Sequence, residues 1–191
     1  MENGIVHSTV AINHKKLFRI HREKDIIKLT LENNLFLLQA SKSGNEFSIY
    51  SDALSSNLIG KVVSNFMGTE YTIYISNEQV AVVLYETNIL GLKGPRKMTI
   101  ILAPTGQSFS NLLQTFKDNP DQVIVLRNKQ PVWSEESQSF VLNFEGRVTL
   151  ASVKNFQIVP DLDLGIIISF LSKLRLYCVA VWENWTGLFY A

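Results

Sequence analysis

The sequence predicts a mainly β protein, an antiparallel sandwich or barrel, on three observations. Short apolar runs alternate residue by residue with polar positions, turn-forming residues recur between the runs, and a helical spacing breaks the series only once before the C-terminal tail. A period of two puts the apolar set of each run on one face of a sheet, and evenly spaced runs without long intervening helices argue against a parallel arrangement.

The pattern starts at Leu17. Ile27, Leu29 and Leu31 alternate with Lys28, Thr30 and Glu32, and Asn33-Asn34 supplies a turn before the next run, Leu35 to Ala40. Further strands are expected at Glu46 to Tyr50, Tyr71 to Ile75, Val80 to Tyr85, Met98 to Ala103 and Gln122 to Leu126. Ser43-Gly44, Met67-Gly68-Thr69, Ser76-Asn77, Gly94-Pro95, Pro104-Thr105-Gly106 and Asn119-Pro120 punctuate them. The helix is expected after Ser108, its cap, with Phe109, Leu112, Leu113 and Phe116 forming a single apolar stripe that packs on the sheet. Ser139 to Glu145 reads as a strand with Phe140, Leu142 and Phe144 on one face. Gly146 then breaks the alternation as a corner or bulge, and a second β-rich run, Arg147 to Val159, stays in the sheet. Leu164 to Ala191 differs. Ile167, Phe170, Leu171, Leu174, Cys178, Val181, Trp182 and Trp185 fit a helical stripe, and Lys173 and Arg175 interrupt it before a membrane-spanning length accumulates.

At 191 residues, with 46% hydrophobic and 18% charged, the composition is that of one folded domain with its own core. The net charge of +1 gives no overall basic field and argues against nucleic acid, so an anion site has to come from local clustering. Two clusters stand out: Lys15, Lys16, Arg19, Arg22, Lys24 and Lys28 near the start, and Lys93, Arg96 and Lys97 in the loop from Gly91 to Lys97. Both are equally readable as solvated strand ends and a solvated loop. The single cysteine, Cys178, excludes an intrachain disulfide and fits a reducing compartment, and the first twelve residues lack the pattern of a secretory signal. Catalysis finds no support: no nucleophile elbow, phosphate loop or paired-histidine metal motif is present. His7, His14 and His21 are spaced by seven on what reads as a loose end entering a strand, where odd spacing alternates faces, so no metal site is expected.

The run Asn143-Phe-Glu-Gly-Arg-Val-Thr-Leu-Ala-Ser-Val-Lys-Asn-Phe-Gln157 resembles the Phe-x-Gly-Arg-Val-Ser/Thr-x-Ala-Ser-Val-Lys-Asn-Phe-Gln signature of the tubby-like C-terminal domain. So do Leu17 to Lys24, Phe36-Leu-Leu38, Ile59-Gly-Lys-Val-Val-Ser-Asn-Phe-Met-Gly-Thr69, Tyr85 to Met98, and Pro131-Val-Trp133. The resemblance divides the chain into an N-terminal arm (1–13), a tubby-like barrel domain (14–159) and a divergent hydrophobic tail (160–191). It implies a closed antiparallel β-barrel threaded by a hydrophobic helix, in a non-enzymatic adaptor that binds phosphoinositide headgroups at the inner leaflet of the plasma membrane. Roles in ciliary trafficking and in the nucleus also occur in the family, and no cofactor is implied. Past Val159 the family's remaining strands and helix ending are not found in the wording. That suggests a truncated isoform whose barrel lacks its last strands, with the Ile167 to Trp185 stripe as a candidate plug.

The resemblance also carries over site residues. Lys61 matches the lysine of the family's Gly-Lys-x-Arg motif, Asn45 matches the asparagine before the corresponding strand, and Lys42 is what remains of a basic run after Phe-Leu-Leu. Cationic side chains suit a polyphosphorylated headgroup because each adds a charge-assisted hydrogen bond. Val63 stands where the motif has arginine, and two further cations are missing, which at about 1 kcal/mol each weakens the site on the order of a hundredfold. Lys93, Arg96 and Lys97 form a second candidate, a compensating basic loop. With the site weakened, the alternative is a scaffold for protein partners.

Overall fold

A computed structural model describes residues 18–31, 33–86, 97–144 and 156–160. Its strands are β1 (Phe18–Glu23), β2 (Ile26–Leu31), β3 (Phe36–Ser43), β4 (Glu46–Tyr50), β5 (Leu58–Ser64), β6 (Glu70–Ile75), β7 (Glu78–Tyr85), β8 (Met98–Leu102), β9 (Ile124–Asn128), β10 (Val132–Ser134), β11 (Ser139–Val141) and β12 (Ile158–Pro160), with one helix, α1 (Leu112–Asp118). The protein is mainly β, as the alternation predicts. Among the described residues, strands β1 to β9 form an antiparallel meander, β12 adds beside β9 as the tenth strand of that sheet, and β10 and β11 form a separate hairpin.

Register explains the core. One row across the sheet reads Phe47, Val62, Ile73, Ala81 and Leu102, and the next reads Tyr71, Val83, Ile100 and Leu126. All nine side chains belong to one buried cluster, against which Phe18 and Ile20 of β1 and Ile158 of β12 also pack. Each large side chain removed from water there contributes about 1.5–3 kcal/mol. Burial pushes the Tyr71 phenol up from its ordinary value of 10.0.

The helix covers the other side of β7 and β8. Leu112 is buried with Val82, Ile101, Ala103 and Val123, and Phe109, Leu113 and Phe116 pack around them. Burial on both faces is why Val80 to Leu84 and Ile100 to Leu102 read as continuous apolar runs. The expected stripe packs on the sheet, with Leu112, Leu113 and Phe116 on the helix, but the cap differs. Asn111, not Ser108, caps α1, its side chain accepting a hydrogen bond from the Gln114 N–H, and Phe109 packs from the segment ahead of the helix. Gln79 of β7 accepts the Leu112 N–H at 2.8 Å, which anchors the first turn to the sheet.

Other differences have local causes. The Gln122 to Leu126 run begins later, at Ile124, because Pro120–Gln122 forms a 3-10 turn. Strand β11 ends at Val141, short of the expected Glu145, and among the described residues it pairs with β10 while β12 pairs with β9, so the two lie in different sheets. The expected corner at Gly146, the signature from Glu145 to Asn155, the N-terminal arm and the tail from Asp161 lie outside the described residues. Among the described residues, no helix is long and apolar enough to cross a membrane.

Candidate functional site

The candidate residues gather around the start of β4. Asn45 sits in the turn between β3 and β4, beside Gly44, whose φ of +60° closes that turn. Asn45 is clasped to the end of β5: its Nδ2 donates to the Ser64 carbonyl at 3.0 Å, and its own carbonyl accepts the Ser64 N–H at 2.8 Å and the Ser64 hydroxyl at 3.3 Å. Its amide is therefore part of the turn's own bonding.

Lys61 lies on β5 opposite Ser48 of β4 and Tyr74 of β6. Its neighbour Val62 faces the interior, so alternation turns Lys61 outward. The Tyr74 ring lies 5.7 Å from the ammonium, and the Glu46 carboxylate accepts from it at 3.5 Å. Both charged side chains are about 41% exposed. Glu46 pairs across the strands with Val63, so Lys61, Val63 and Glu46 share the outer face, with Asn45 one residue from Glu46.

Lys42 lies across from Phe47, on the interior face, and its ammonium stands 5.5 Å from the Phe47 ring centroid. The fold thus turns Lys61 outward and sends Lys42 to the interior face, while Asn45 bonds to Ser64, which pairs with the interior residue Tyr71. In the second candidate, Lys97 pairs with Glu86 at 3.5 Å, both well exposed, and the Glu86 N–H donates to the Lys97 carbonyl. Lys93 and Arg96 lie outside the described residues.

Sequence reasoning missed three participants: Glu46, Tyr74 and Ser64. Each reaches the site by cross-strand register, which the meander fixes and which sequence spacing does not reveal. A carboxylate 3.5 Å from Lys61 satisfies part of its charge and repels an incoming phosphate. Chemically the arrangement is a modest anion site, one cation on an aromatic face with hydrogen-bonding groups nearby, and it holds no nucleophile and base in contact.

The chain is similar to known proteins. The Tub family model matches residues 75–173, just over half the chain. That match runs past Val159, where the wording of the sequence had ended the resemblance. Protein king tubby 1 of Aedes aegypti is 44% identical over 130 residues, which cover 57% of this chain and 32% of that protein. Protein king tubby of Drosophila grimshawi is 39% identical over 178 residues, covering 77% of this chain and 39% of that protein. Protein king tubby of Drosophila virilis is also 39% identical over 178 residues, covering 77% of this chain and 38% of that protein. The chain therefore spans less than two fifths of the length of these relatives. With the family match extending over the strands from β7 to β12, this chain belongs to the Tub family.

Proposed function

We propose that this chain is a non-enzymatic phosphoinositide-binding domain acting as a membrane-tethered adaptor, with a weakened headgroup site. The observation that carries the reading is the outward Lys61 ammonium, seated by the Tyr74 ring on the strand to whose end the Asn45 turn is bonded, in a chain of the Tub family. Lys42 and Lys97 add charge near the same strand ends. The weakening has two sources: Val63 in place of a cation, and Glu46 bound to the cation that remains. Such a domain sits peripherally at the inner leaflet of the plasma membrane, with the cilium and the nucleus as further destinations.

A second reading, a protein scaffold with lapsed lipid binding, is favoured by the β10–β11 hairpin. Trp133 and Phe140 stack edge to face at 5.2 Å on one of its sides, Val132 and Val141 occupy the other, and all four remain exposed.

Thermal unfolding of the full chain with and without soluble inositol trisphosphate tests the first reading. Headgroup at about a hundred times Kd raises the stability by about 2.7 kcal/mol, and the rise disappears in Lys61→Ala. A cooperative transition indifferent to headgroup removes the lipid reading and leaves the scaffold.

A further inference from the structure

The hairpin between β5 and β6 ends in two apolar residues with no structural task. Phe66 is 103% exposed and Met67 73%, and neither packs against either buried cluster. The turn that carries them is nonetheless ordered by its own polar groups. Asn65 Oδ1 accepts the N–H groups of Thr69 and Glu70, its Nδ2 donates to the Thr69 hydroxyl, and the Gly68 N–H donates to the Asn65 carbonyl. Gly68 takes a φ of +63° that a side chain rarely adopts. The tip is held in one shape from below, and its two large side chains point at nothing.

From this geometry we infer that Phe66 and Met67 are a membrane-inserting tip that enters the acyl region of an acidic bilayer while the Asn45–Lys61 end engages a headgroup. The inference rests on the phosphoinositide reading of that end. Three observations select a lipid surface as the occupant. The Asn45–Ser64 clasp fixes the candidate headgroup turn to the strand end from which the tip projects, two residues before Phe66. The residues around the apolar pair, Asn65, Thr69, Ser64 and Asn45, are polar hydrogen-bonding groups, the layering of an interfacial anchor. Lys42 lies on β3, which leads into that turn, and Lys61 on β5, the strand beside β4, and both cations suit an acidic surface. Because the turn is already ordered, insertion does not have to order it.

The test is partition of the full chain onto phosphatidylcholine vesicles containing phosphatidylserine and phosphatidylinositol bisphosphate, alongside calorimetric titration with soluble inositol trisphosphate. Phe66→Ser is expected to weaken vesicle partition by roughly tenfold, and Met67→Ser by a similar or smaller factor, with headgroup affinity unchanged. Phe66→Trp is expected to be quenched by brominated lipid more strongly than the wild type, whose own three tryptophans set the baseline. Both sites are exposed, so the melting temperature of each variant should match that of the wild type. Equal partition of Phe66→Ser and wild type overturns insertion, leaves the headgroup reading standing, and assigns the tip to a protein partner. Binding of soluble headgroup with no affinity for vesicles overturns it also. Loss of both headgroup and vesicle binding in the wild type sinks the functional reading on which the inference rests.

Discussion

Val63→Arg is the most informative single change at the candidate site. Position 63 lies two residues from Lys61 on the outer face of β5, about 6.7 Å along the strand, and directly across from Glu46. An arginine there can take the Glu46 carboxylate as a cross-strand partner, releasing Lys61 while adding a charge of its own. One added cation at about 1 kcal/mol corresponds to roughly a fivefold gain in headgroup affinity. Titration calorimetry with soluble inositol trisphosphate at two salt concentrations reads it out. The gain should be larger at low salt, because the contact is exposed and screened. Combined with Lys61→Ala, the arginine should recover only part of the lost affinity. An unchanged Kd would refute the reasoning, since it means that β5's outer face is not where the anion sits, and the same gain with and without Lys61 would refute the release of Lys61 from Glu46.

Two further outcomes follow from local geometry. A Cβ at Gly60 would lie 2.5 Å from the Tyr74 carbonyl oxygen, so Gly60→Ala forces β5 and β6 apart; it is expected to cost about 1–3 kcal/mol in urea denaturation. Asp52, in the loop between β4 and β5, accepts the Ser56 N–H and also the Asn57 N–H, the Ser56 hydroxyl and the Leu54 N–H. These bonds hold its carboxyl below the ordinary 3.8. A depressed folded-state pKa stabilises the protein above the unfolded value and is lost as pH falls through the folded one. The stability difference between wild type and Asp52→Asn should therefore be constant near neutral pH and shrink below about pH 3.8, as measured by urea midpoints.

Strands with one apolar face were legible because Ile27, Leu29, Phe47, Ile49, Tyr71 and Ile73 alternate cleanly. Strand β5 was not, because Gly60 occupies an interior-facing position beside Val62, and Ile59 next to it also packs on the core, which blurs the period of two. The helix stripe was visible, but Asn111 and Ser108 are equally good caps on paper. The choice between them was made by Gln79, which fixes Leu112 as the first turn from a distant strand. At the site, residue types marked Lys61 and Asn45. The Glu46 contact and the outward turn of Lys61 away from Lys42 depend on register, which no local pattern encodes.

The meander has a consequence for how the sheet assembles. From β1 to β9 every strand pairs with the one synthesised just before it, so these pairings close short or moderate loops and can zip up in order as the chain emerges. The pairing of β12 with β9 differs, because the β10–β11 hairpin and the signature stretch intervene. Until Ile158–Pro160 arrives, the outer rim of β9 is an open template for any extended segment in reach. Slow-folding variants and stalled chains should therefore misassemble along β9 first.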